Sequence, residues 1–401
     1  MALKKLPLFV AIAASLAAPA VTAQGVQVYG RLFPYLNAES GSGATIVGTT
    51  VATLGATPTG VGGVGSVKGM AAGNSRIGVR GSEDIGGGIK AKYQIEGVVA
   101  VDNGNAAGFT WNRDGFVGLE GGFGQVRLGI MDTVFKEYGD TLGILGISSG
   151  TPMSSSNMMR KPGFGTSNAA RFHERRANSV RYDSPAIDGF QGGLQISTQE
   201  NATATVGAAK TYSLGLKYDK GPFYVALAHE IHDNFYGGSA QTQTASMRNN
   251  GAGTTVTSKD KATQFTVEWR ATKQHKFEFD VIKKSYNEKA TVAGRFQSYS
   301  NTAYLIGMDN RWNDTWRTAA HYVKSDAGSC SRIAAACSTE GLQGSKLLLG
   351  AAYYLSRRTY LFGVYDVMTN GKSARFSAND FGTAAPGEDS RHFIAGITHS
   401  F

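Results

Sequence analysis

The chain contains one short motif that could supply a catalytic nucleophile. Residues 146–150 read GISSG and match the pattern GxSxG, with Ser148 as the central serine. That chemistry needs a tight turn between a strand and a helix, with a histidine and an acid nearby. The residues around Ser148 are rich in Gly, Ser, Pro and Met and indicate neither element, so we interpret the match as loop composition and predict no enzyme. Replacing Ser148 with Ala and assaying esterase and phospholipase activity would separate the two cases.

The cysteines and histidines offer little metal chemistry. Cys330 and Cys337 lie close together in a polar stretch rich in Ala and Ser. In an oxidising compartment this spacing suits a local disulfide bond worth roughly 2.5 kcal/mol by loop entropy, and the alternative is two unpaired loop thiols. The seven His are scattered, and none makes a ligand pair with these cysteines. A GxGxxG spacing at 60–65 neither follows a strand nor opens a helix, so we predict no cofactor and no metal.

Two pairs of acids could act as a general acid and base or bind a cation. Glu83 and Asp84 lie in a Gly-rich hairpin turn, where charges at a rim are expected. Glu278 and Asp280 share the polar face of an alternating segment. They could bind a cation or serve as solvated wall charges, and the second interpretation is the simpler one.

Residues 1–23 have the features of a secretory signal peptide. Lys4 and Lys5 precede an apolar run at 6–18, and residues 21–23 supply the small side chains that a signal peptidase needs. Removal of this segment changes the formal charge from +10 to 10 − 2 = +8. We therefore predict one domain at 24–401. No later segment has the ~20 consecutive apolar residues of a membrane helix.

The rest of the chain alternates apolar and polar residues with a period of two, which is typical of strands with one apolar and one polar face. We count about sixteen such segments, joined by short turns that alternate with long loops. Short turns at one rim, long loops at the other and an even strand number predict an all-β, closed transmembrane antiparallel barrel. Closure leaves no unpaired edge in hydrocarbon, and a barrel of this size holds water. A soluble secreted β-domain is the alternative that composition alone leaves open.

The segment from Asp132 to Glu174 loses this period. A loop of this length inside an ordered chain is usually functional or disordered. The strands predicted before and after it, at 124–132 and 176–184, look like ordinary members of one sheet. We therefore predict that the segment folds into the barrel mouth as a constriction. A mobile surface loop is the alternative.

Five stretches of the chain resemble the trimeric general-diffusion porins of Gram-negative outer membranes: YGRLF, SRIGVRGSEDIGGGIKAKYQIE, NRDGFVGLEGGFGQVRLG, RRANSVRYDSP and the terminal HFIAGITHSF. The resemblance implies a sixteen-stranded barrel, a homotrimer and a third loop that folds inward. The terminal Phe401 resembles the signal that such barrels present for membrane insertion, which implies the barrel-assembly machinery as a partner.

The resemblance also implies a pore constriction in which wall arginines face acids on the third loop. The matching arginines are Arg31, Arg76, Arg113 and Arg175. Strand parity independently turns three of them inward and leaves Arg113 less secure, and by the same test it turns Arg80, Arg127 and Arg181 inward. The loop acids Asp132, Glu137 and Asp140 stand at its start, and its distal part carries Arg160, Lys161 and Arg171 instead. Largely unopposed arginines predict anion preference.

These features together predict a passive outer-membrane channel for small hydrophilic solutes and ions. Two alternatives stay open: a channel specific for phosphate, an organic acid or an aromatic compound, and, more remotely, an outer-membrane barrel hydrolase. External Lys and Arg side chains are expected to meet lipid and lipopolysaccharide phosphates. The basic residues form no stripe, so we predict no nucleic-acid binding.

Overall fold

The computed structural model describes residues 25–44, 65–104, 110–139, 141–143, 145, 151–164, 171–200, 208–235, 257–289, 291–378 and 380–401. Four features singled out in the sequence lie outside these residues: the signal segment 1–23, Ser148, Asp140 and, apart from Gly65, the GxGxxG spacing at 60–65. Most of the described chain forms one antiparallel sheet that closes on itself.

Within the described residues the sheet contains nineteen segments and the chain contains two short helices. The segments are β1 (Gln27–Leu32), β2 (Tyr35–Ser42), β3 (Ser66–Ala71), β4 (Arg76–Gly86), β5 (Ile89–Val98), β6 (Gly115–Gly121), β7 (Gly124–Asp132), β8 (Arg175–Asp183), β9 (Phe190–Thr198), β10 (Lys210–Lys220), β11 (Phe223–Asp233), β12 (Lys259–Arg270), β13 (His275–Asn287), β14 (Phe296–Arg311), β15 (Trp316–Ser325), β16 (Ser329–Arg332), β17 (Gly344–Tyr354), β18 (Thr359–Asn370) and β19 (Asp389–Ser400). The helices are α1 (Val134–Gly139) and α2 (Ser156–Met159). Neither described helix has the length and apolar character needed to cross a bilayer.

Three of the barrel strands are interrupted, so the described segments make 19 − 3 = 16 strands. Strands β1 and β2 flank Phe33 and Pro34, and proline has no N–H to donate to a ladder. The other interruptions separate β3 from β4 and β15 from β16. Strand β19 pairs with both β1 and β2, which closes the barrel. The predicted sixteen-stranded antiparallel barrel is confirmed.

The barrel reverses the usual distribution of apolar and polar side chains. Along β12 the apolar Phe265 and Trp269 point outward and are exposed, while Gln264, Thr266 and Glu268 point inward and are buried. An exposed apolar surface of this extent needs a partner other than water. Near the short turns it ends in exposed aromatic side chains, as expected at a membrane interface: Phe190, Phe223, Trp269, Phe277, Trp312 and Trp316.

Several strand boundaries differ from those predicted. Strand β3 lies in a stretch that the sequence assigned to a loop, because its polar and apolar residues occupy both faces and the period of two is lost. Strands β12 and β14 begin earlier than predicted, at Lys259 and Phe296. Strand β6 begins at Gly115, so Arg113 lies just before the strand and its side-chain direction is not set by strand parity.

Candidate functional site

The described residues of the third long loop, within 133–174, lie in the interior of the barrel. Helix α1 packs against β9 to β12, and α2 packs against β14, β15 and β17. The apolar side chains of this loop are buried together with residues of the inner wall, so the hydrophobic core lies between loop and wall. The inward-folded loop is confirmed for its described residues.

Side chains of the wall hold this loop by its backbone carbonyls. The Lys284 ammonium donates to the carbonyl oxygens of Met159 at 2.6 Å and Lys161 at 3.0 Å. Further wall donors reach other loop carbonyls at 2.7 Å: Lys346 to Pro152, Gln264 to Gly139, Tyr360 to Leu145 and Tyr224 to Tyr138. Because carbonyls inside a barrel need partners, this set of donors fixes the loop position.

Two glycines of the wall allow α1 to lie flat against it. A Cβ atom at Gly215 would stand 2.8 Å from the Tyr138 ring, and one at Gly193 would stand 2.9 Å from the Tyr138 hydroxyl. These distances are shorter than real Cβ contacts. The first turn of the loop therefore depends on glycine at both positions.

Eight charged side chains lie near the start of the loop, seven of them in two groups of ion pairs and the eighth, Arg31, beside them; we call this set the wall charge cluster. It comprises Arg31, Arg76, Arg113, Arg175 and Lys136 with Glu96, Asp114 and Asp132, a net charge of 5 − 3 = +2. Glu96 binds both Arg76, at 3.5 Å, and Arg113. Arg175 binds Asp114 at 2.6 Å and Asp132 at 2.9 Å, and Asp132 also binds Lys136 at 2.9 Å.

Arg31 differs from the other arginines of the wall charge cluster. It lies directly across the ladder from Arg76, stacks 4.8 Å from the Phe33 ring, and donates to the Tyr360 hydroxyl at 2.6 Å and the Thr398 hydroxyl at 3.0 Å. These hydroxyl contacts orient the guanidinium.

The remaining predicted arginines lie outside this cluster. Arg181 is buried and bound by Asp183 at 2.8 Å and by Glu137 of α1 at 2.6 Å, so it fastens the loop to the wall. Arg127 shares Asp183 at 2.7 Å. Arg80 donates to the Gln27 side chain at 2.9 Å and stacks 4.7 Å from the Tyr29 ring.

The expectation that the wall arginines are largely unopposed is wrong for Arg76, Arg113 and Arg175. Their partners Glu96 and Asp114 belong to the wall, whereas the sequence analysis looked for acids only on the loop. Glu96 has the inward parity of β5, and Asp114 follows Arg113 directly. The sequence therefore contained a signal that could have placed each acid near the arginines. The structure also buries Arg176, which the sequence analysis did not single out. Its guanidinium stacks 4.1 Å from the Phe235 ring.

The distal cations of the loop are buried rather than exposed to the channel. Arg160 donates to Gln264 at 3.1 Å and to the Gly139 carbonyl, both inside the loop packing. Burial, reinforced by the positive charge of Arg171, lowers the pKa of Lys161 to about 7. Arg171 itself is paired with Glu174. These side chains therefore contribute less positive potential to the channel than their number in the sequence indicates.

The last long loop, residues 371–388, also folds inward, which the sequence did not predict. The Asp380 carboxylate accepts from the Tyr35 hydroxyl at 2.8 Å and from the Asn37 amide at 2.9 Å. The backbone N–H of Arg375 donates to the carbonyl of Gly163 at 2.7 Å, so the last long loop contacts the third. Burial raises the pKa of Asp380 to about 6.

The predicted disulfide bond and the chain end are both in place. Cys330 and Cys337 are joined by a disulfide bond, which settles the alternative of two thiols. Phe401 and Gly30 exchange two backbone hydrogen bonds of 3.1 Å, which extend the closure of the barrel to the last residue. Glu278 and Asp280 lie on the inner wall, and in the part of the chain that is described no group of three potential ligands could hold a metal ion.

Comparisons with known proteins agree with this architecture. A family profile described as Gram-negative porin matches residues 9–373. The major outer membrane protein P.IB of Neisseria meningitidis serogroup B is 33% identical over 170 residues, which cover 40% of this chain and 45% of that protein. The counterpart from Neisseria lactamica is 34% identical over 155 residues, covering 38% and 41%. The chain thus spans less than half the length of the curated relatives it matches.

Among solved structures, an anion-selective porin from Comamonas acidovorans superposes with a TM-score of 0.70 at 20% identity, covering 94% of this chain and 99% of that one. The OmpT protein of Vibrio cholerae with its loop L8 deleted gives a TM-score of 0.61 at 13% identity, with coverage of 94% and 99%. At these identities the likeness shows the fold alone.

Proposed function

The chain belongs to the Gram-negative porin family, and we propose that it forms a water-filled channel of the outer membrane through which small hydrophilic solutes and ions diffuse passively. One observation carries the proposal: the closed sixteen-stranded barrel exposes apolar side chains outside and encloses polar and charged ones. A barrel of this strand number is too wide for its side chains to fill, so its lumen holds water. Family membership favours this channel over the hydrolase alternative.

The channel is expected to prefer anions moderately. The net +2 of the wall charge cluster supports this, as does the similarity in fold to a porin described as anion-selective. A unit charge is worth about 1 kcal/mol at 4 Å in water, and screening acts over ~10 Å at 0.1 M salt. Because three of the arginines share acids, we expect an anion to cation permeability ratio of about 3 to 10 at 0.1 M salt. The arginines Arg31, Arg76, Arg113 and Arg175 would form the selective region.

The outer surface offers a place for assembly into a homotrimer. An apolar groove crosses the outward faces of β2, β3, β18 and β19 and is lined by Leu36, Met70, Tyr365 and Phe393. It lies where the two ends of the barrel meet, and cyclic oligomers repeat one such patch on every subunit. The remaining outer face would contact lipid and, at the side of the long loops, lipopolysaccharide. The terminal Phe401 would be recognised by the barrel-assembly machinery.

The direct test of channel formation is reconstitution of the purified protein in planar bilayers. We expect stepwise conductance increments in potassium chloride that grow with salt concentration, because water fills the lumen. The matched control is the same preparation heated until the barrel unfolds. An electrically silent folded barrel would contradict the proposal.

A further inference from the structure

A cavity of about 400 Å³ opens inside the barrel below the wall charge cluster, on the side of the short turns. We call this cavity the periplasmic niche. Its lining includes Gln27, Arg80, Lys92, Gln94, Gln125 and Arg127. We propose that the periplasmic niche is a binding site for small hydroxylated carboxylates, that is, organic acids with one anionic head and several hydroxyl groups. The inference deepens the proposed function, since it names a solute class for the same channel.

The position of the periplasmic niche follows from strand register. Arg80 lies four residues beyond Arg76 on β4, roughly 13 Å along the strand, in the direction of the short turn at 87–88. Lys92 and Arg127 reach the same space from β5 and β7. Short turns of such barrels lie at the periplasmic rim. A solute that leaves the wall charge cluster toward the periplasm therefore meets the niche next.

The charge balance of the periplasmic niche leaves one cation unneutralised. Lys92 binds Glu120 at 2.7 Å. Arg127 and its neighbour Arg181 together bind Asp183 and Glu137. With Arg80 included, four cations face three acids, a net charge of 4 − 3 = +1.

The unneutralised cation is Arg80. Within the described residues its guanidinium forms no ion pair: Nε donates to the neutral Gln27 at 2.9 Å, and the plane stacks 4.7 Å from the Tyr29 ring. The stacking orients the guanidinium, and the Arg80 side chain is exposed to the lumen water. A fixed guanidinium fork fits a carboxylate with two parallel hydrogen bonds.

The neutral lining determines what the rest of the ligand should be. Gln27, Gln94 and Gln125 bring three amides to the cavity, and each amide can donate to and accept from a hydroxyl group. A bare inorganic anion would use the charge but leave these amides to water. Phe116, whose ring lies 5.3 Å from the Arg127 guanidinium, adds an apolar floor for carbon atoms. The combination therefore favours a hydroxylated carboxylate over chloride or phosphate.

The test is equilibrium binding of gluconate to the detergent-solubilised full chain by titration calorimetry at fixed ionic strength. We expect saturable, weak binding that Arg80→Gln weakens about tenfold, as for loss of a charge-assisted bidentate contact. Arg311→Gln is the matched control, since Arg311 also stacks on a tyrosine, 4.6 Å from Tyr354, and donates to neutral carbonyl oxygens. It should bind gluconate as the wild type does. Heat-modifiable migration in gels verifies that each variant folds.

A second variant tests recognition of the hydroxyl groups. Gln94→Leu should weaken gluconate severalfold and leave the binding of hexanoate, which has a similar length and no hydroxyls, unchanged. The proposal is overturned if gluconate does not bind, if Arg80→Gln binds it as well as wild type, or if Arg311→Gln loses as much. A protein that conducts salt but fails these tests refutes only the niche. One that binds gluconate but does not conduct refutes only the channel.

Discussion

Glu96, an acid that the sequence analysis did not consider, balances two arginines of the wall charge cluster. Its carboxylate is bound by Arg76 and Arg113 and accepts from the Tyr29 hydroxyl at 2.9 Å. Glu96 thus reduces the positive potential that Arg76 and Arg113 present to a passing ion. Selectivity in this protein is expected to depend on the wall acids as much as on the arginines.

Replacing Glu96 with Gln should increase anion preference. The change leaves the size of the side chain nearly constant and raises the net charge of the wall charge cluster from +2 to +3, so we expect the anion to cation permeability ratio to rise about two- to fivefold at 0.1 M salt. The measurement is the reversal potential of the variant. Glu83→Gln is the matched control and should change little, since Glu83 lies near the short-turn end of β4, which contradicts the predicted turn position, and is seven residues beyond Arg76. An unchanged ratio in Glu96→Gln would mean that ions do not sense this cluster.

Asp380 should make the last long loop sensitive to pH. Burial raises the pKa of its carboxyl to about 6, above the value of about 3.9 for an unperturbed Asp. A raised folded pKa favours the protonated form, so loop stability is greatest below about pH 4, declines as pH rises through 6, and is constant above that.

Hydrogen exchange of residues 371–378, corrected for the intrinsic rate, measures this effect. We expect weaker protection at pH 7.5 than at pH 4.5 in the wild type and a much smaller difference in Asp380→Asn. Equal pH dependence in both proteins would exclude Asp380 as the cause.

At the scale of elements, the third loop is held chiefly by wall side chains that reach its carbonyls. Replacing Lys284 with Met removes the donor for Met159 and Lys161 while keeping a long apolar stem. A buried carbonyl left without a donor costs about 1–3 kcal/mol, so we expect protection of residues 151–164 against hydrogen exchange to fall at least tenfold. Lys283→Met is the matched control, since Lys283 immediately precedes Lys284 and is exposed.

Channel recordings test the same variant functionally. A loosened loop should add current fluctuations that are absent from the wild type and from Lys283→Met. If exchange and current noise of Lys284→Met match those of the wild type, the loop is held by its apolar packing and not by this donor.

The sequence predicted strands better than it predicted contacts, for a physical reason. The period of two is a local property, so it identified the sixteen strands, the inward loop and the direction of Arg31 and Arg76. The pairing of Arg175 with Asp114 joins residues 61 positions apart, and no local pattern records it. The inward course of the last long loop was missed in the same way, because Asp380 finds Tyr35 only when the barrel closes.

At the scale of the whole molecule, the apolar groove beside the barrel closure should hold the trimer together. Phe393 is 63% exposed on one chain and packs 4.7 Å from the Tyr365 ring. Phe393→Arg should convert the trimer to monomers in detergent, measured by light scattering. Phe279→Arg is the matched control: Phe279 is also exposed on the outer face, so the cost toward lipid is similar, but it lies on β13, away from the groove. A monomeric wild type, or equal behaviour of the two variants, would refute this interface.

The most direct test of the central claim, a water-filled lumen with a net positive wall, is the reversal potential of the wild-type channel under a tenfold gradient of potassium chloride. The structure predicts a sign that corresponds to chloride preference, with a permeability ratio of about 3 to 10 that declines as salt is raised. A reversal potential that indicates preference for potassium would contradict the account.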